Sequence, residues 1–316
     1  MARILVTGSE GLVGSALGPR LGAEGHSVRR FDRRHAAHED VRDLRALEEA
    51  LRGVDGVVHL AAVSRVIDGE RDPSLCRDVN LGGMANVLDA AARAEGRPFV
   101  LFASSREVYG DPGALPVDET APPRPRNVYG ETKVEGEERV RRARRRGLRT
   151  AIVRLSNVFG SIDDHVDRVI PAFVRAGLEG RPLRVDGLES TFDFTHVDDV
   201  ARGLGLVVER LLAGERELPE LHFVTGRATT LGELAERARA LGGGRSEIRV
   251  APPRDFDVAR FVGDPARAER VLGFRTEVSL ERGLARLAEA FRAAADGARA
   301  SERRPPEAHG FRTEVP

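Results

Sequence analysis

The stretch Thr7-Gly8-Ser9-Glu10-Gly11-Leu12-Val13-Gly14 limits the fold of this chain more than any other. It separates a short apolar run, Arg3 to Thr7, from an amphipathic segment, Leu12 to Glu24. Glycines at 8, 11 and 14 let a backbone turn tightly from strand to helix, approach a pyrophosphate closely and pack the helix on the sheet. A helix amino end at that place adds partial positive charge toward an anion. Glycine triplets are common in turns, but one placed directly between a predicted strand and a predicted helix has the context that dinucleotide binding requires.

The first half continues in the same manner, short apolar runs alternating with amphipathic stretches, as in a parallel sheet flanked by helices. Ser27 to Asp32 reads as the second strand. Gly53 to Ala62, with Val57-Val58-His59-Leu60 at its centre, reads as the fourth, after a helix near Leu44 to Arg52. Leu81 to Glu95 reads as a helix, Phe99 to Ser104 as the fifth strand, Tyr129 to Arg146 as a helix with an Arg-rich outer face, and Arg149 to Leu155 as the sixth strand. The fold class expected is α/β, a Rossmann-type doubly wound parallel sheet with ligands at the carboxyl ends of its strands.

Residues 1–165 form the expected dinucleotide-binding domain. Beyond about Gly160 the regularity weakens, and Pro171, Pro182, Pro219, Pro252 and Pro253 punctuate shorter segments. Residues 166–296 read as a smaller, interleaved substrate-binding domain, with some segments returning to the sheet. Leu280 to Ala295 reads as a closing amphipathic helix and 297–316 as a mobile polar tail. In that tail, Gly310 to Val315 repeats Gly273-Phe274-Arg275-Thr276-Glu277-Val278 verbatim. Two readings stand: a repeat without function, or a tail that competes for the docking site of the internal copy.

Tyr129 and Lys133 lie four residues apart in Tyr-Gly-Glu-Thr-Lys, so on a helix they share one face and can point at one bound molecule. A neighbouring ammonium favours the phenolate, and a phenol otherwise titrates near roughly 10, too high for a base at neutral pH. The serine pair Ser104 and Ser105 leaves a predicted strand on the same edge of the sheet. A Ser hydroxyl both donates and accepts, so a serine there can relay or stabilise a moving proton. The alternative is that the serines only end the strand and the Tyr–Lys pair is an exposed helical pair.

On these motifs the chain resembles the extended short-chain dehydrogenases/reductases, within them the NAD-dependent nucleotide-sugar epimerase/dehydratase family of the UDP-glucose 4-epimerase type. The resemblance runs from Ala2 to about Leu287. Thr7 through Gly14 matches the family's Thr-Gly-x-x-Gly-x-x-Gly form, and it implies cofactor contacts at Gly8, Gly11, Leu12, Val13 and Gly14. It also implies that Asp40 and Val41 border the adenine, that His59-Leu60-Ala61-Ala62 pass beneath the cofactor, and that Asn80 supports the active-site helix. Asp32 ends the second strand, where a carboxylate can accept from ribose hydroxyls and repel a 2'-phosphate, which favours NAD over NADP. Arg33 and Arg34 follow directly and partly offset that repulsion. Alternatively, Asp32 begins a turn. His59 follows an apolar strand and reads as structural.

The family match places Ser105 beside the reacting sugar hydroxyl and gives Lys133 a second bond, to the nicotinamide ribose. Tyr129 then takes the proton from the hydroxyl while its carbon passes hydride to NAD. In a 4-epimerase the transient 4-keto sugar rotates and takes the hydride back on its other face. Glu107 sits where related dehydratases and uronate decarboxylases carry a carboxylate that serves C5 and C6, which makes it a fourth catalytic candidate. Arg106 stands where the dehydratases have an acid, and a guanidinium cannot protonate a leaving hydroxyl. It either faces a sugar carboxylate or pairs with an acid such as Glu107. Asn157 resembles the family's diphosphate contact, and Arg254 a phosphate-binding Arg. Phe192 replaces the Arg of another substrate element, and Asp198 and Asp199 read as helix caps.

The expected activity is that of an NAD-dependent 4-epimerase on a nucleotide sugar, a UDP-hexose or UDP-uronic acid. A decarboxylase or dehydratase using Glu107, and a dinucleotide sensor without catalysis, are the alternatives. The resemblance also implies a homodimer through a helical bundle that includes the Tyr129 helix.

Composition excludes other classes. A chain of 316 residues, 41% hydrophobic and 32% charged, builds a sizeable core. Fifty basic residues balance fifty acidic ones, so no global field draws it to nucleic acid or to a membrane. Cys76 is the one cysteine, which rules out an intrachain disulfide and fits a reducing cytoplasm. Neither a leader nor an apolar run long enough to span a bilayer is expected. The eight His residues include no ligand-spaced helical pair, so no metal is expected.

Overall fold

In the computed structural model, which describes residues 1–302, the runs Ile4-Leu5-Val6, Val57-Val58 and Phe99 to Phe102 are buried throughout. Strands of that kind belong in a parallel sheet covered on both sides. The chain supplies β1 (Arg3–Thr7), β2 (Ser27–Phe31), β3 (Gly56–His59), β4 (Phe99–Ser105) and β5 (Thr150–Leu155). Between them run α1 (Leu12–Ala23), α2 (Leu44–Ala50), α3 (Val66–Arg71), α4 (Pro73–Arg77), α5 (Gly83–Arg93) and α6 (Val128–Arg145). There follow β6 (Asn157–Phe159), α7 (Val169–Glu179), β7 (Leu183–Asp186), β8 (Thr191–Phe192), β9 (Phe194–His196), α8 (Val197–Leu212) and β10 (Leu221–Phe223). The described chain ends with β11 (Thr229–Thr230), α9 (Leu231–Leu241), β12 (Ile248–Ala251), α10 (Ala266–Leu272) and α11 (Leu280–Glu302).

Six strands form one sheet in the order β10-β5-β4-β3-β1-β2, all parallel, which makes the fold α/β and doubly wound. The registers Thr7↔His59, His59↔Phe102 and Ser105↔Leu155 bring the carboxyl ends of the central strands to one edge. One face is sealed by α1 and α8, with Leu17 and Leu21 against Leu204 and Val207. The other is sealed by α2, α5 and α6 through Leu47, Met84, Val87 and Val140. Each such aliphatic side chain stabilises the fold by about 1.5–3 kcal/mol relative to exposure. A third apolar cluster joins α7, α9 and α11 to β7 and β9 through Phe173, Val174, Leu183, Phe194, Leu234 and Leu284. No helix among the described residues is long and apolar enough to cross a membrane.

Three expectations need correction. Gly56–His59 is the third strand, not the fourth, because residues 33–43 form turns closed by backbone bonds such as His35 N to Asp32 O at 2.9 Å and Asp43 N to Asp40 O at 2.9 Å. The sixth sheet strand is β10, not the segment at Arg149, which is the fifth. Finally, α11 continues through Gly297 to Glu302, since a single glycine costs only about 1 kcal/mol in an Ala- and Arg-rich helix. The second copy of the Gly-Phe-Arg-Thr-Glu-Val repeat lies outside the described residues.

Candidate active site

All the sequence-derived site residues except Asn80 line one cavity of about 1020 Å³ at the carboxyl edge of the sheet. Its floor is the glycine turn. Gly8 has a φ of +72°, and a Cβ there would lie 2.7 Å from the Ala61 amide nitrogen. A Cβ on Gly14 would lie 2.3 Å from the Gly8 carbonyl oxygen, so helix and turn touch only because both residues lack side chains. Gly11 caps α1 without any side-chain bond to its first turn. The first-turn amides at Leu12 and Val13 therefore stay available to an anion, and the cradle fits a dinucleotide diphosphate.

At the end of β2, the Asp32 carboxylate accepts from the Glu10 amide at 3.0 Å and the Arg34 amide at 2.8 Å. Arg33 Nε sits 3.5 Å from Asp40 Oδ2, while an Arg34 guanidinium N–H donates to the Glu10 carbonyl. Arg33 is thus directed away from Asp32, whereas Arg34 Nε lies 3.8 Å from Asp32 Oδ1 and offsets its charge. Val41 is buried, and Leu60, Ala61 and Ala62 run along the cavity wall. Asn80 lies behind that wall, in a wide π-type turn at Asp78–Gly82. Its Oδ1 accepts from the Val63 amide at 2.8 Å and its Nδ2 donates to Thr132 Oγ1 at 3.0 Å, tying the loop after β3 to α6.

Asn127 starts α6: its Oδ1 accepts from the Gly130 amide at 2.8 Å, and its Nδ2 donates to Glu107 Oε2 at 2.8 Å. The first turns then present Tyr129 and Lys133 to the cavity. Ser105 lines the cavity with Tyr129, and its hydroxyl is near enough to favour the Tyr129 phenolate. Lys133 Nζ donates to the Ala103 carbonyl at 2.8 Å and lies 5.6 Å from the Tyr129 ring centroid. Burial pushes the Tyr129 phenol up to about 12, against the opposing effects of the Ser105 hydroxyl and the Arg168 charge. Burial also pulls the Lys133 ammonium down to about 8. The direction at Tyr129 is the reverse of the expected lowering. Lys133 spends its bond on a carbonyl, and desolvation of the phenolate outweighs the nearby cations.

The helix is anchored to the sheet by Glu137, which is fully buried. Its oxygens accept from Ser104 Oγ at 2.6 Å, from Arg154 Nε at 2.8 Å and Nη2 at 2.7 Å, and from Arg141 Nη2 at 2.8 Å. Ser104 is therefore a structural tether, and Ser105 is the serine that meets Tyr129. His59, also buried, pairs its Nδ1 with Thr7 Oγ1 at 2.8 Å, and burial pulls its imidazolium down to about 3.

On the substrate side, Arg106 Nε donates to Asn157 Oδ1 at 2.5 Å and its Nη2 lies 2.8 Å from Glu107 Oε1. Its guanidinium carbon sits 4.7 Å from the Phe192 ring centroid. The ion-pair reading of Arg106 thus holds in geometry. Arg254 is half-exposed, bonded through Nε to Asp257 Oδ2 at 2.7 Å. Asp198 and Asp199 are not caps. His196 caps α8 instead, and buried Asp199 accepts from the Glu277 and Val278 amides at 2.9 Å each.

Sequence reasoning missed the loop after β6, where Asp164, His165 and Arg168 line the cavity. Asp164 is buried, its Oδ1 accepts from the His165 amide at 2.8 Å, and burial pushes its carboxyl up. Arg168 Nη2 donates to Ser64 Oγ at 2.9 Å. The run of charge at Asp163-Asp164-His165-Val166-Asp167-Arg168, shortly after Asn157, was the available signal.

Comparison with known proteins agrees with this geometry. The model of the NAD dependent epimerase/dehydratase family matches residues 4–219. The UDP-glucose 4-epimerase of Mycolicibacterium smegmatis is 32% identical over 313 residues, covering 92% of this chain and 98% of that protein. UDP-glucuronic acid decarboxylase 1 of Danio rerio is 31% identical over 304 residues, covering 89% of this chain and 71% of that one. The crystal structure of the Thermus thermophilus UDP-glucose 4-epimerase with NAD superposes with a TM-score of 0.83 at 28% identity, covering 92% of this chain and 99% of the other. A glycine cradle, a Tyr–Lys helix and a serine at the end of β4 thus stand in a chain that belongs to the NAD dependent epimerase/dehydratase family.

Proposed function

We propose that the chain is an NAD-dependent nucleotide-sugar 4-epimerase acting through a transient 4-keto sugar, with a UDP-hexose or UDP-uronic acid as substrate. The observation that carries this reading is that Ser105, Tyr129 and Lys133 line the same cavity as the glycine turn and Asn157. NAD, when bound, takes hydride from C4 and returns it. Tyr129 holds the proton of the C4 hydroxyl during that exchange, Ser105 relays it, and Lys133, four residues on along the same helix face, is the residue that would bond the nicotinamide ribose. Leu12 and Val13 amides hold the dinucleotide diphosphate, and Asp32 its ribose. Residues 166–296 supply most of the substrate side, with Arg254 on the diphosphate together with Asn157 of β6.

Glu107 has both oxygens engaged, one by Arg106 and one by Asn127. That favours epimerisation over a reaction at C5 or C6 that needs a free carboxylate. Mass spectrometry after incubation with nucleotide sugars separates these, since epimerisation conserves mass while decarboxylation and dehydration do not. Tyr129→Phe is expected to lower turnover by about 10³-fold or more with NAD still bound. Unchanged turnover would remove the mechanism.

A cytoplasmic homodimer belongs to the same proposal. The lone, buried Cys76 supports the compartment, and a mass measured in solution tests the dimer.

A further inference from the structure

Arg106 has one nitrogen to spare. Nε goes to Asn157 and Nη2 to Glu107, while Nη1 is buried and has no hydrogen-bond partner among the described residues. The side chain is only 11% exposed. Two aromatic rings hold the guanidinium in place, Phe192 at 4.7 Å and Phe261 at 6.0 Å from its central carbon. Such flanking removes water and strengthens any ionic contact made there. Arg106 lines the same cavity as Ser105, Tyr129 and Asn157, so its guanidinium belongs to the wall on which a sugar would rest.

Buried donors on a cation are costly to leave unmatched, and their preferred match is an anionic oxygen. Asn157 and Glu107 face Nε and Nη2, and neither reaches Nη1 in this geometry. Phe192 and Phe261 offer only ring faces. An anionic oxygen brought by a ligand into the cavity that Arg106 lines would satisfy Nη1.

We propose that Arg106 is a specificity-determining residue whose Nη1 binds an anionic oxygen of the nucleotide sugar. This inference rests on the nucleotide-sugar reading above. Two sources of that oxygen share the chemistry, a carboxylate carried on C5 of the sugar and the diphosphate itself.

The test is titration calorimetry of the NAD-loaded protein with UDP, UDP-glucose and UDP-glucuronate, for wild type and Arg106→Met. The Met stem keeps the packing on Phe192. A rise in Kd of about tenfold or more confined to UDP-glucuronate is expected, and it assigns the oxygen to a sugar carboxylate. A comparable rise for all three ligands assigns it to the diphosphate. Unchanged Kd values, or a loss shared by both sugars but not by UDP, overturn the proposal, the second because it means a neutral group is read. Wild type that binds none of the three overturns the nucleotide-sugar reading and this inference together, whereas an Arg106→Met protein that matches a binding-competent wild type overturns this inference alone. Retention of the NAD-induced melting shift shows that the variant is folded. Should it not fold, Arg106→Lys is titrated instead, with the same order of ligands expected.

Discussion

At Tyr129, burial and catalysis pull in opposite directions. A phenol pushed up to about 12 is a weak acid at neutral pH, and an ammonium pulled down to about 8 is close to losing its charge. Both shifts come from the same apolar surroundings, so a variant that lets water reach Lys133 would restore its charge and loosen the site together. His59 offers a cleaner titration. Its folded value of about 3 lies below the ordinary value of about 6.5, so the unfolded chain binds the extra proton between those limits. Stability is then full above pH 6.5 and falls as pH drops toward 3, by about 5 kcal/mol at most from this residue. Urea unfolding across that range is expected to show the loss in wild type and a flatter profile in His59→Gln. An equal acid slope in both would place the linkage elsewhere, with buried His222 the next candidate, also pulled down to about 3.

Between elements, the tethers decide where the chemistry sits. Glu137 holds α6 to β4 and β5 through Ser104 and Arg154, so Glu137→Ala leaves the Arg154 guanidinium buried with only Tyr109 Oη and the Glu119 carbonyl as partners. A loss of about 3–5 kcal/mol in unfolding free energy is expected by urea denaturation. Gly14→Ala is expected to lower both stability and binding. Its Cβ would press on the Gly8 carbonyl and on Ser9 Cα at 2.7 Å, shifting the turn and weakening NAD by about tenfold or more in a titration. These two cases mark what a sequence reveals. Gly8, Gly11 and Gly14 were legible because strand, turn and helix follow one another locally. The stacking of Arg106 on Phe192 was not, since the residues lie far apart in the chain and meet only after β8 folds beside the turn following β4. Nor was the reversed shift at Tyr129, because four-residue spacing fixes a shared face but says nothing about which atom Lys133 will bond.

For the molecule as a whole, the cavity is bounded on one side by the glycine turn and on the other by residues after β5. A ligand that fills it joins both parts, so NAD at a hundred times its Kd is expected to raise the unfolding free energy by about 2.7 kcal/mol. A melting temperature indifferent to NAD would contradict the cradle. Most of the sheet could be read from alternating apolar runs, but its sixth strand could not. The three residues of β10 are too short a signal, and they enter the sheet beside β5 from well beyond the regular half of the chain. The family match ends at residue 219, just short of that strand. A protein cut there would expose the unpaired edge of β5, Val153 to Leu155, and is expected to aggregate in a solubility assay where the full chain does not. Because α8 and β10 come from the later part of the chain yet complete the sheet, a graft that replaces that part must carry both along or rebuild their seam with β5.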